Sequence, residues 1–207
     1  MDRSVRGFYD ALAPWYDVIY EDWEGSIARQ AEALDGLIAE EWGPECRRIL
    51  DAAMGVGTQA LGLASRGYTL IACDNALPHL LSEEEIGLAL SEFLRCLRAG
   101  GGCVVSMRDY GARPAGGTVE TKDYGSRGRD GRPCRLRQIW EWRGELYDVC
   151  FEVRAVDAEG EVLAMTPKTT YFAVPPDRVA ALMRAAGFRN VRRVDGRFFQ
   201  PLLLGTK

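Results

Sequence analysis

Arg48-Ile49-Leu50-Asp51-Ala52-Ala53-Met54-Gly55-Val56-Gly57-Thr58-Gln59-Ala60 is the stretch that decides the fold. Arg48 to Ala52 reads as a short buried strand, Gly55-Val56-Gly57-Thr58 as a tight turn, and Gln59 to Ser65 as a helix. Two glycines leave the backbone bare, and the unpaired N–H groups at the start of the helix point back at the turn, so a ligand can approach closely. Taken literally, Gly55-Val56-Gly57-Thr58-Gln59-Ala60 also satisfies the dinucleotide pattern G-x-G-x-x-A. Asp74 stands 17 positions after Gly57, near the ~20 expected of a ribose-binding acid. A nicotinamide-dependent oxidoreductase is therefore one reading of the turn, and a purely structural turn is another.

Upstream, Ile27, Ala31, Leu34, Leu37 and Ile38 recur at helical spacing from Ser26 to Glu40, and Gly43-Pro44 stops the helix. Residues 1–25 form an aromatic arm that runs from Phe8-Tyr9 through Trp15-Tyr16 to Tyr20 and Trp23. Downstream, residues 68–73 read as a strand ending in Asp74-Asn75. Ser82 with Glu85 predicts a capping box, opening a helix that stops at Gly100-Gly101-Gly102. Cys103 to Met107 is the next expected strand. Residues 112–174 then change to alternating strands, broken at Gly144 and Gly160, with Val162 to Phe172 as the last of them. Pro176 to Ala186 reads as a helix ended by Gly187, followed by strands at Arg189–Val194 and Phe198–Leu204 joined at Asp195-Gly196. The pattern predicts an α/β domain, 1–207, with an antiparallel β insertion.

The 207 residues, 47% hydrophobic and 27% charged, can bury a core without staples. A net charge of -4 argues against a whole-surface nucleic-acid or membrane binder. The basic stretch Arg127-Gly128-Arg129-Asp130-Gly131-Arg132, with Arg135 and Arg137, lacks interleaved aromatic residues and reads as a solvated hairpin. The six cysteines form no C-x-x-C pair and His79 is the lone histidine, so no metal site is expected. With no apolar leader after Met1, the expected compartment is the cytoplasm.

Several separated stretches together resemble one family. They are Phe8-Tyr9-Asp10-x-Leu12-Ala13-x-x-Tyr16 to Tyr20; Arg29-Gln30-Ala31; Ile49-Leu50-Asp51-x-Ala53-x-Gly55-x-Gly57-Thr58; Asn75-x-x-x-His79-Leu80; Leu97-Arg98-x-Gly100-Gly101; Arg108-x-Tyr110; and Ala186-Gly187-Phe188. The chain resembles the class I S-adenosylmethionine-dependent methyltransferases, in particular the glycine N-methyltransferase-like branch. The resemblance implies a Rossmann-like sheet, S-adenosylmethionine as cofactor, and methyl transfer to a small-molecule amine such as glycine or another amino acid.

Carried over residue by residue, it implies that Arg29 holds the methionine carboxylate of the cofactor. Ala53, Gly55 and Gly57 form the cofactor loop, Ala53 replacing the usual first glycine, and Cys73 and His79 contact the cofactor. Arg108 would hold a substrate carboxylate, with Tyr20 and Asn75 beside the amine. No catalytic base is implied, because displacement at a sulfonium methyl by a neutral amine needs alignment and exclusion of water. The arm and the insertion would cover the substrates, and Trp140, Trp142, Tyr147 and Tyr171 are expected either to line that cover or to pack in a core.

The sequence departs from the family between Leu70 and Ile71, where a second-strand signature runs directly into a fourth-strand one. Three readings follow: a segment omitted from the displayed sequence, a contracted sheet in which Asp74 inherits the ribose role, or a non-catalytic paralogue acting as a binding module. Contraction predicts an exposed apolar flank and self-association into a homo-oligomer.

Overall fold

The computed structural model of the chain describes residues 5–48, 58–68, 77–111, 114, 116–129, 132–156 and 160–207. Among them the helices are α1 (Val5–Leu12), α2 (Trp23–Trp42), α3 (Thr58–Ser65), α4 (Glu83–Cys96) and α5 (Pro176–Ala186). The strands are β1 (Gly102–Ser106), β2 (Val119–Arg129), β3 (Arg132–Arg143), β4 (Leu146–Val156), β5 (Glu161–Met165), β6 (Thr169–Phe172), β7 (Arg189–Val194) and β8 (Leu202–Thr206). Short 3-10 turns lie at Ala13–Ile19 and Leu77–His79. The chain divides into two compact units, one of residues 1–23 and 114–172 and one of residues 24–113 and 173–207.

In the second of these units α2 buries Leu34 and Ile38 with Leu63 and Tyr68, while Leu37 meets Leu202 and Leu204 of β8. These positions repeat at three and four residues, so one apolar stripe faces inward. Trp42, at the end of α2, packs against both groups. It lies so near Gly102 that a methyl there would stand 1.9 Å from its Cε2. Ser82 caps α4 as expected, its Oγ accepting from the Glu85 N–H at 3.2 Å, while the Glu85 carboxylate accepts at 2.8 Å from the N–H of Leu81, one residue before the cap, in place of the Ser82 N–H of a full capping box. Gly187 ends α5 in the left-handed region at φ 103, where a Cβ is disfavoured.

β1, β8 and β7 form an antiparallel sheet in that order, with Val104 opposite Leu204 and Arg192 opposite Leu204 on its other side. The strands expected to run parallel to β1, at 48–52 and 68–73, fall almost wholly outside the described residues, as does the Leu70-Ile71 junction. The expected strand Phe198–Leu204 is corrected: β8 begins only at Leu202. Pro201 has no N–H for a ladder, and its carbonyl instead accepts from the Met107 N–H at 3.1 Å.

The other unit is an antiparallel sheet ordered β2-β3-β4-β5, with β6 also paired to β4. The expected single strand Val162–Phe172 is therefore two. Pro167 interrupts it, and Thr166 bridges the break: its N–H donates to Phe151 O and its Oγ1 accepts from the Phe151 N–H, both at 2.9 Å. Alternation along β3 and β4 separates the two faces. Leu136, Gln138, Trp140 and Trp142 stand opposite Val153, Phe151, Val149 and Tyr147 on one face, with Phe8 of α1 6.0 Å from Phe151. Arg137, Glu141 and Arg143 stand opposite Glu152, Asp148 and Leu146 on the other.

Candidate functional site

α3 begins at Thr58, the residue after Gly57 in the sequence, and buries its first turn: Thr58, Gln59 and Ala60 are all buried. Against it lies α2. A methyl at Gly62 would stand 2.6 Å from Ala31 Cβ and 2.8 Å from the Ile27 carbonyl oxygen, so the two helices meet nearly backbone to backbone. One turn closer to the glycine loop, Gln59 Nε2 donates to Gln30 Oε1 at 2.7 Å, with both residues buried. Arg29, the residue before Gln30 in α2, is exposed, and its guanidinium donates to Ser26 Oγ at 3.1 Å.

His79 is the last residue of the 3-10 turn Leu77–His79, whose first two residues, Leu77 and Pro78, are buried. Burial pushes its imidazole pKa down to about 4, so the ring is neutral at physiological pH. A neutral ring offers one donor and one acceptor and no charge.

Arg108 follows β1 in a loop fixed on both sides. Met107 and Tyr110 are buried, and Asp109 accepts from Arg193 at 2.6 Å and from the Gly111 N–H at 2.9 Å. The Arg193 guanidinium beside Asp109 holds that carboxyl below its ordinary pKa. Arg108 itself is half-buried. Asp109 thus makes a contact across to Arg193 of β7, and Arg108 is its neighbour in the chain.

Arg29, His79 and Arg108 belong to one compact unit, on α2, the 3-10 turn and the loop after β1. Tyr20 belongs to the other, where its ring lies 4.9 Å from Trp23 and 6.3 Å from Tyr16. Ala53, Gly55, Gly57, Cys73, Asp74 and Asn75 lie outside the described residues. Among the described residues of the expected cofactor set, Arg29 presents a guanidinium, which suits a carboxylate, and His79 a neutral imidazole. Gln30 and Gln59 entered the sequence reading only as members of longer stretches, and Gly62 not at all. The available signals were a glutamine on the apolar stripe of α2 and a glycine inside a helix.

The four aromatic residues of the insertion form a stack. Trp142 and Tyr147 lie 4.5 Å apart at 26°, Tyr147 and Tyr171 5.4 Å apart at 17°, and Trp140 5.3 Å from Tyr147. Trp142, Tyr147 and Tyr171 are buried, which is the core-packing alternative. In the basic hairpin, Arg135 is bonded to Asp123 and Arg137 to Glu152.

No protein-family model matches the sequence, and no curated protein matches it. Solved structures do. DesVI of Streptomyces venezuelae is 21% identical with a TM-score of 0.74 over 94% of this chain and 97% of its own. An amino pentose methyltransferase from Micromonospora echinaspora, determined with S-adenosylmethionine bound, is 18% identical with a TM-score of 0.75 over 92% and 95%. The CcbJ methyltransferase of Streptomyces caelestis is 16% identical with a TM-score of 0.68 over 100% and 99%. The chain has a Rossmann-like methyltransferase fold. Among the described residues no helix is long and apolar enough to cross a membrane, and no His, Cys, Asp and Glu cluster could hold a metal ion.

Proposed function

We propose that the protein transfers a methyl group from S-adenosylmethionine to a small-molecule amine. The observation that carries this reading is the seating of α3: its buried first turn follows Gly55-Val56-Gly57 and is bonded to the helix that bears Arg29. The shared fold supports it, since it extends over nine-tenths of the chain. When bound, the cofactor supplies an activated methyl on sulfur. Arg29 receives its carboxylate through a charge-assisted fork, His79 contributes a neutral wall, and the turn at Ala53, Gly55 and Gly57 lets its backbone approach. Cys73 and Asp74 belong to the same proposed cofactor set, with Asp74 as the ribose acid.

On the acceptor side, Arg108 holds an anionic group of the substrate, and Asn75 stands beside its amine. These residues align a neutral amine and keep water away, which is the whole catalytic task if the amine arrives deprotonated. Two acceptor classes are in play. The Arg108 reading favours a glycine-like amino acid, whereas an amino pentose methyltransferase among the similar structures favours an amino sugar.

Calorimetry with S-adenosylhomocysteine tests the cofactor half: binding is expected, and binding of NAD in its place would establish the oxidoreductase reading instead. Methyl transfer to glycine measured against an amino sugar tests the acceptor half. If the acceptor carries a carboxylate, Arg108→Ala weakens it by about 1.5–3 kcal/mol while sparing the cofactor, and Arg108→Lys restores only part. Equal loss of both ligands would show Arg108 to be structural, and equal turnover of simple alkylamines would remove the carboxylate from the scheme.

A further inference from the structure

The seam between α2 and α3 has three parts. At its far end Leu34 and Ile38 meet Leu63 in an apolar cluster. In its middle Gly62 lies against Ala31 and Ile27. At the end where α3 begins stands the Gln30–Gln59 hydrogen bond, 2.7 Å long. Ile27, Gln30, Ala31 and Leu34 share one stripe of α2, and Gln59, Gly62 and Leu63 share one stripe of α3. An apolar seam of small residues sets distance well and register poorly, because sliding or rotating one helix changes little of the buried area. A buried amide pair does the reverse. Shifting either helix leaves a donor and an acceptor without partners in a region closed to water, so one register is favoured over all others.

We infer that Gln30 and Gln59 are positioning residues for the cofactor's amino-acid end, an inference that rests on the methyl-transfer reading. Gln59 is the second residue of the helix that leaves the glycine turn, and Gln30 adjoins Arg29. The pair therefore fixes the rotation of α2 about its axis relative to the start of α3. Since successive helical residues point about 100° apart, Arg29 projects away from the seam in a direction set by where Gln30 is held. A rotated α2 would carry the guanidinium off the carboxylate it receives, while leaving the base-binding end of the ligand untouched.

The test is a pair of substitutions that separates positioning from mere stability. In Gln30→Met one amide partner is lost and the other is stranded, so both the stability of the protein and its affinity for S-adenosylhomocysteine fall. In the double variant Gln30→Met, Gln59→Met the side-chain lengths are kept and no polar group is stranded, so stability returns toward that of the unaltered protein. Affinity does not return: calorimetry is expected to show S-adenosylhomocysteine bound roughly tenfold more weakly, with adenosine, which lacks the amino-acid end, bound as before. If the double variant regains both stability and full affinity, the pair is structural and the inference is overturned. If adenosine weakens as much as S-adenosylhomocysteine, the pair supports the whole cleft and the positioning role is likewise overturned. Should the double variant fail to fold, Gln30→Glu keeps an acceptor for the Gln59 amide. S-adenosylhomocysteine affinity within about threefold of the unaltered protein then supports the role, and a folded Gln30→Glu protein that has lost that affinity sinks it. An unaltered protein that binds no S-adenosylhomocysteine overturns the methyl-transfer reading and this inference with it, whereas normal binding with an indifferent double variant overturns the inference alone.

Discussion

In the unit of residues 24–113 and 173–207, backbone approaches backbone and side chain at glycines: a methyl has no room at Gly62 against Ala31 or at Gly102 against Trp42, and one at Gly205 would stand a tight 3.0–3.2 Å from Met183 and Phe188. In the unit of residues 1–23 and 114–172 the core is instead a run of large rings, Trp140, Trp142, Tyr147 and Tyr171, over a sheet whose opposite face is laced with ion pairs. The difference teaches where each unit is vulnerable. Close backbone contact fails when something is added, and a stack of rings fails when something is removed. The glycine-built unit holds Arg29 and His79 of the proposed cofactor set and Arg108 of the proposed substrate set.

The largest expected effect breaks the ring-built unit. Tyr147 is 2% exposed and touches Trp140, Trp142 and Tyr171. Tyr147→Ala deletes the ring at the centre of the stack and should cost about 3–5 kcal/mol in denaturant unfolding. A loss below about 1 kcal/mol would show that the stack collapses onto the gap and that the rings do not carry this unit.

Gly62→Ala is the matching test of the other unit, expected to cost about 1–3 kcal/mol because the added methyl meets a backbone carbonyl as well as Ala31. Ala31→Gly in the same chain removes one of the two clashes and should return part of the loss. Helix propensity alone predicts the opposite sign, since alanine outranks glycine inside a helix. A stabilised Gly62→Ala protein would therefore mean that the two helices do not approach this closely.

This pair of sites also shows what the sequence disclosed and what it hid. The periodicity of Ala31, Leu34 and Ile38, the Ser82–Glu85 cap, Gly187 after α5 and the breaks at Gly144 and Gly160 were legible, because each acts through its own neighbours in the chain. Splitting the last insertion strand depended on Pro167, a signal that was present and outweighed by the apolar run around it. The Gln30–Gln59 bond, the Gly62 contact and the Asp109–Arg193 pair join positions 29, 31 and 84 residues apart, and no local pattern marks them. Arg29, His79, Arg108 and Tyr20 were singled out by resemblance, and that resemblance could not say that Asp109 ties the loop to Arg193.

Charge gives a third contrast. Glu152, 8% exposed on the ion-paired face, accepts from Arg137 and from Arg154 at 3.1 Å. Burial pushes its pKa up, but the bonds from Arg154 and Arg137 outweigh burial and the net direction is down. A carboxyl with a depressed pKa stabilises the fold above the usual carboxylate range and loses that contribution as pH falls through the folded-state value. Glu152→Gln should cost about 1 kcal/mol at neutral pH, both arginines being partly exposed, and the gap to the unaltered protein should close in acid. A gap that persists unchanged at low pH would assign the loss to packing instead of charge.

The smallest effect belongs to the alkaline side of the glycine-built unit. The Tyr68 hydroxyl donates to Asp35 Oδ1 at 2.7 Å, and Arg47 reaches the same oxygen at 2.8 Å while its guanidinium carbon lies 4.6 Å over the Tyr68 ring. Burial, then the bond to Asp35, pushes the phenol pKa up to about 12 from an ordinary 10.0. Folding thus favours the neutral phenol. Its contribution is complete below the unfolded-state value and is lost as pH rises toward the folded one, amounting to about 1 kcal/mol by pH 11. Ultraviolet titration of tyrosinate with unfolding measured from pH 9 to 12 should show this limb, and Tyr68→Phe should flatten it while leaving the acid response of Glu152 in place. A Tyr68→Phe protein with the same alkaline slope would assign the loss to other groups and leave Asp35 held by its arginines, which bond it with or without the phenol.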